Sequence, residues 1–133
     1  MKITISNFGD LGKRVTLVGR MDIFGAEKIA APLKELADSN TSIVIDMKGV
    51  DFLASNCVRQ LVITAKTVAR NSRRLVLLYP NPIVVLALIQ SGLHYFLPIV
   101  HSEEEAQAVL SGESPDLLPE GAKRFFSRPP ESD

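Results

Sequence analysis

Ser55, Asn56 and Cys57 are the residues of this chain whose types and spacing are best suited to chemistry. They stand where an apolar run, Ile43-Val44-Ile45, gives way to a helical pattern in which Val58, Leu61, Val62, Ala65, Val68 and Ala69 share one face. The first N–H groups of a helix have no partner within it and carry the positive end of its dipole, so a hydroxyl, a carboxamide and a thiol at that point occupy a polar, usable spot. Nucleophilic catalysis there would need a base beside Ser55 or Cys57, itself oriented by a third group, and no such relay is visible. No catalytic residue is assigned, and the chain is expected not to be an enzyme. Cys57 at a helix start could have a lowered thiol pKa, yet a lone cysteine inside an apolar pattern more often serves packing, which is the reading adopted.

Other candidates reduce to ordinary structure. His94 and His101 are the only histidines and lie far from Cys57 in sequence, so no metal site is expected. Gly12-Lys13 has two letters of a phosphate-binding loop, but Arg14 stands where a hydroxyl is needed, which leaves a turn and no cofactor. Arg59, Lys66, Arg70 and Arg73 form a basic stripe opposite the apolar face, an ordinary solvated surface on which an acidic partner could dock. Lys123-Arg124-Phe125-Phe126-Ser127-Arg128 places two aromatics among basic residues, as groove-binding peptides do, or as a segment folding back onto its own domain does.

Composition narrows the partners. The chain of 133 residues has fifteen basic and fifteen acidic side chains and a formal net charge of zero, so no global field recruits nucleic acid or an anionic membrane. The single cysteine excludes an internal disulfide, and the first residues form no signal-peptide core, which fits a reducing, cytoplasmic setting. The apolar run from Ile83 to Ile89 is far shorter than the ~20 residues a membrane-crossing helix needs, so no direct membrane insertion is expected.

The elements that must position these residues follow from periodicity. Lys2–Phe8 alternates as a strand, Gly9-Asp10-Leu11-Gly12 turns, and Val15–Gly19 is its hairpin partner. A turn at Gly19-Arg20-Met21-Asp22 leads to a helix from about Gly25 to Asp38, loose ahead of Pro32 or regular only from it. The strand at Ile43–Ile45, the tight polar turn after it, the central helix and a strand at Leu75–Tyr79 make a unit whose two strands should be parallel. Asn81-Pro82 caps a third helix that Gly92 closes, Pro98-Ile99-Val100 is extended, and Ser102-Glu103-Glu104-Glu105 is a capping box for a last helix through Leu110. The domain then spans 1–110, and Ser111–Asp133, rich in Pro, Gly, Ser and charge, reads as a disordered tail.

This order of elements, the Gly19-Arg20-Met21-Asp22 segment and Val50-Asp51-Phe52-Leu53-Ala54-Ser55-Asn56-Cys57 together resemble a STAS domain, the fold of bacterial anti-sigma-factor antagonists. The resemblance implies a single α/β domain, a mixed sheet of roughly four to five strands with about four packed helices. Family members usually carry Asp-Ser-Ser-Gly after the strand, the second serine being phosphorylated by a partner kinase that doubles as the anti-sigma factor. Here Ala54, Ser55, Asn56 and Cys57 occupy those positions, so the usual acceptor is Asn56 and Ser55 is the one hydroxyl that could take a phosphate in its stead. In the earlier Gly-Glu-Leu-Asp motif, Gly19 and Asp22 persist while the acid becomes Arg20.

The resemblance thus implies a regulatory interaction module for transcription signalling. It would bind an anti-sigma factor or related serine kinase through Asp22, Asp51, Ser55, Asn56 and Arg59, with Ser55 or Asn56 also able to cap the central helix. An asparagine cannot take on the −1.5 to −2 charge of a phosphoserine, so binding without that switch is expected. Two other classes stay open: an accessory subunit on a transport ATPase, and a small-ligand or nucleotide sensor in a pocket beside the polar turn. A homodimer also stays open.

Overall fold

The chain folds, in a computed structural model that describes residues 1–112, around one five-stranded sheet. β1 (Lys2–Phe8) and β2 (Gly12–Met21) form the predicted antiparallel hairpin, its turn closed by the Leu11 amide donating to the Phe8 carbonyl at 3.1 Å. Gly12 is fixed by contact: a Cβ there would sit 2.2 Å from the Ser42 carbonyl oxygen, whose partner is the Lys13 amide at 2.9 Å.

The rest of the chain is α1 (Ile23–Asp38), β3 (Ile43–Leu53), α2 (Ser55–Arg70), β4 (Leu75–Leu78), α3 (Pro82–Gln90), β5 (Ile99–Val100) and α4 (Glu103–Ser111). The strands lie in the order β1-β2-β3-β4-β5, and β2 through β5 are parallel, including the predicted pair β3 and β4. Right-handed crossovers in one direction place α1 and α2 side by side on one face of the sheet, where they pack against each other. Ile29, Leu33, Leu61 and Val68 from the helices meet Val15, Leu17, Ile43, Ile45, Leu75 and Leu77 in a fully buried core. Each of the larger aliphatic side chains contributes about 1.5–3 kcal/mol by leaving water.

Several elements differ from the sequence reading. β2 runs on through Arg20 and Met21, so the segment expected as a turn ends a strand, with Gly19 at φ +118° where the register with β3 shifts. β3 spans eleven residues and carries Asp51 and Phe52, which were expected in a turn. Pairing with β2 supplies the reason, since β2 offers ladder partners as far as Met21 opposite Leu53. α1 is continuous from Ile23 with Pro32 inside it, neither loose ahead of the proline nor starting at it. Its inner face of Gly25, Ala26, Ile29, Leu33 and Ala37 is buried, and this packing outweighs one missing helical hydrogen bond. The caps of α3 and α4 form as predicted. Asn81 Oδ1 accepts from the Val84 amide at 2.9 Å, and Ser102 Oγ from the Glu105 amide at 3.1 Å. α4 includes Ser111 and is closed by Gly112 at φ +77°. The remainder of the expected tail, with Lys123–Arg128, lies outside the described residues.

α4 lies on the opposite face of the sheet, where Ala106 and Val109 are buried in the core and a charged contact is added to that packing. Arg14 on β2 grips Glu103 with both guanidinium nitrogens, at 2.6 and 2.8 Å, and donates to Asp46 on β3 at 2.8 Å. Asp46 is 3% exposed, and its other oxygen accepts from the Lys48 amide at 3.0 Å. A charge so deep is tolerable because each carboxylate oxygen has a donor and one of those donors is a cation. The Arg14 hydrogen bonds hold the Glu103 carboxyl below its ordinary value of 4.5. Such a group contributes stability in full above that ordinary value and loses it as pH falls through the lower folded value.

Two outcomes follow. Gly12→Ala, forced against the Ser42 carbonyl, lowers the urea-unfolding free energy by about 1–3 kcal/mol. In Glu103→Gln, the stability gap from the native chain is constant near neutrality and narrows as pH drops from about 6 to about 3, read from urea midpoints across that series.

Candidate functional site

β2 and β3 end level with each other, Met21 opposite Leu53, and each passes into a helix after a single residue. The start of α1 and the start of α2 therefore emerge together from one end of the sheet. They are tied there by the chain itself: the Ala54 amide donates to the Met21 carbonyl at 2.8 Å, and the Cys57 thiol donates to the same oxygen at 3.1 Å and lies 3.4 Å from the Asp22 carbonyl. Gly25 lets the helix approach closely, since a Cβ on it would lie 3.0 Å from the Arg20 carbonyl.

Asp22 is the N-cap of α1, its Oδ1 accepting from the Gly25 amide at 3.0 Å while Oδ2 lies 3.8 Å from Arg20 Nε. Its carboxylate is thus already engaged in structure. α2 begins differently. Its N-cap is Ala54 and no side chain caps it, which corrects the reading of Ser55 or Asn56 as capping residues. The Met21 carbonyl fixes the Ala54 amide and sets the helix start one residue earlier than composition implies. Ser55 and Asn56 are left exposed in the first turn, and neither side chain hydrogen-bonds another described residue.

Cys57, fully buried, performs the packing role expected of it. Burial pushes its thiol up to about 11, opposite in direction to an activated helix-terminal cysteine. Arg59 is exposed one turn into α2, and Asp51 is exposed on β3 before the helix. The structure therefore brings Asp22, Ser55 and Asn56 together, with Asp51 and Arg59 flanking them along the same strand-helix segment.

Sequence reasoning missed four contributors to this end of the sheet. Ile23 and Phe24 form the first turn of α1 and are 51% and 75% exposed, the latter a bare aromatic ring beside the cap. Arg20 stacks its guanidinium 4.0 Å above the Phe52 ring, across the register pair at the strand ends. Asn81 reaches back from the start of α3 to donate to the Val50 carbonyl at 2.7 Å, joining a third helix start to this end. The two apolar residues directly after a capping aspartate are the local signal that would have found Phe24. Among the described residues no cluster of His, Cys, Asp and Glu could hold a metal ion, and no helix is long and apolar enough to cross a membrane.

A search of curated proteins found no match. Among solved structures, an anti-sigma factor antagonist from Mycobacterium paratuberculosis is similar with a TM-score of 0.75 at 17% identity, over 83% of this chain and 93% of that one. The anti-sigma factor antagonist SpoIIAA in its unphosphorylated form has a TM-score of 0.66 at 18% identity, over 84% and 99% of the two chains. The Bacillus cell fate determinant SpoIIAA in the phosphorylated form has 0.64 at 19%, over 81% and 99%. At such identities the likeness is one of fold. The family model of the STAS domain matches residues 9–106, which takes in the ends of β2 and β3 and the starts of all four described α-helices, and the chain belongs to the STAS domain family.

Proposed function

We propose that this protein is a non-enzymatic regulatory module, similar in role to the anti-sigma-factor antagonists. It would hold an anti-sigma factor or a related regulatory serine kinase by the surface around residues 51–59 and the adjoining start of α1. The observation that carries this reading is Asn56: an exposed carboxamide in the uncapped first turn of α2, where the family pattern has its phosphorylated serine. A carboxamide both donates and accepts, so it can pair with a partner, but it gains no charge from a kinase. The partner therefore stays bound in the presence of ATP. Phe24 offers an exposed aromatic ring for a partner to bury, the kind of anchor on which a stable interface of about 800 Å² per side concentrates its energy, with Ser55, Asn56 and Arg59 flanking it.

The test is binding of the purified chain to a regulatory serine kinase recovered with it, titrated with and without ATP. Equal affinity in both conditions is expected. Asn56→Asp is expected to weaken binding about tenfold or more by facing the partner with a fixed charge. Because an acid in the first turn favours the helix, that variant stays folded and the loss reports on docking. Stoichiometric phosphate on Ser55 with loss of binding would overturn the reading, as would recovery of transporter components with no kinase.

A further inference from the structure

A second site runs along α2 from its first turn, between that helix and the connection that follows α3. α3 ends at Gln90 with Ser91 as its C-cap, Gly92 at φ +78° turns the chain into a 3₁₀ turn at Leu93–Tyr95, and the backbone continues to Leu97. This connection stands off from α2 and leaves a cavity of about 350 Å³. Val58, Val62 and Ala65 of α2 form one wall and Leu93, Phe96 and Leu97 the other. Leu93 and Leu97 are buried at its floor, at 2% and 1% exposure, while Lys66 and Ser91 are exposed and form the polar part of its lining.

The polarity of this cavity is one-sided. Lys66 is the one charged residue lining it, α2 contains no acidic residue, and Lys66 forms no ion pair with another described residue. The Ser91 hydroxyl donates to the Leu88 carbonyl at 2.9 Å, so its proton is engaged and the lysine is the donor available to a ligand. Apolar walls with one cation at the rim match a molecule that has an alkyl body and a single negative charge. One lysine offsets one charge, which favours a monoanion over a phosphate. A methylene takes a share of volume close to the ~30 Å³ of a water, so the space fits a chain of about eight to ten carbons with its head at the opening.

We propose that this cavity binds an alkyl monocarboxylate of that length, its chain between α2 and the Leu93–Leu97 connection and its carboxylate on Lys66. The site borders the partner surface at Val58, but no step of its argument uses Ser55, Asn56 or Arg59.

The experiment is titration of the intact chain with hexanoate, octanoate and decanoate, followed by calorimetry and by methyl NMR. Saturable binding is expected, tightening about fourfold per added methylene, with shifts at Val58, Val62, Leu93 and Leu97. Lys66→Ala should weaken octanoate about tenfold and leave octanamide unchanged, and Val62→Phe, which fills the cavity, should abolish both. The Lys66 variant changes only an exposed side chain, so its result stands even if the Val62 variant misfolds. No saturation by decanoate at about 1 mM, shifts centred elsewhere, or equal loss of octanoate and octanamide in Lys66→Ala would each overturn the proposal.

Discussion

The level ending of β2 and β3 is the constraint from which the arrangement of the candidate site follows. Because Met21 and Leu53 pair in a parallel ladder and one residue separates each from its helix, α1 and α2 begin as neighbours. The Met21 carbonyl then serves two donors from the opposite segment, the Ala54 amide and the Cys57 thiol. A glycine at 57, as in the family pattern, has no side chain to reach that oxygen. The cysteine thus replaces backbone freedom with a buried brace, and it holds the exposed Ser55-Asn56 turn against the cap of α1. Rigid placement of this kind lowers the ordering cost that a docking surface pays when a partner arrives.

Both faces of the sheet are closed by aliphatic packing, with Ala106 and Val109 of α4 in the core, but on one of them a directional charged contact is added. α1 and α2 cover one face with aliphatic side chains, whose attraction is non-directional and tolerant of small shifts. α4 is fixed to the other by the fork of Arg14 on Glu103, a geometry that specifies both position and orientation. Placing the directional contact on the last described helix fixes the orientation of an element of nine residues, whose small apolar face of Ala106 and Val109 is non-directional. The overall charge balance of zero hides this arrangement, in which a nearly buried aspartate is satisfied from two strands.

How much was legible in the sequence depended on how local the deciding interaction is. The caps at Asn81 and Ser102 were readable because each is settled within three residues by a side chain bonding its own helix. The hairpin and the parallel pair β3–β4 were readable from turn chemistry and uninterrupted apolar runs. The ends of β2 and β3 were not, because Arg20, Asp51 and Phe52 become strand only through pairing with each other's segments. The start of α2 was misplaced for the same reason: Ser55 and Asn56 have the composition of caps, but the Met21 carbonyl decides. Arg14 and Glu103 lie 89 positions apart, so no window could connect them. Of the expected site, Asn56 was found on the surface as its motif position implied, whereas Phe24 was hidden by reading its helix from Gly25.

Pro32 bears on how α1 is held together. α1 runs through it unbroken in path, yet the proline has no N–H to offer the Lys28 carbonyl, so the hydrogen-bond ladder of α1 has a missing rung near its middle. α2 contains no proline over its 16 residues. Of the two helices that start together at this end of the sheet, α2 therefore keeps every amide of its interior able to donate, whereas the first turns of α1, which bear Phe24, are joined to the rest of their helix by one hydrogen bond fewer.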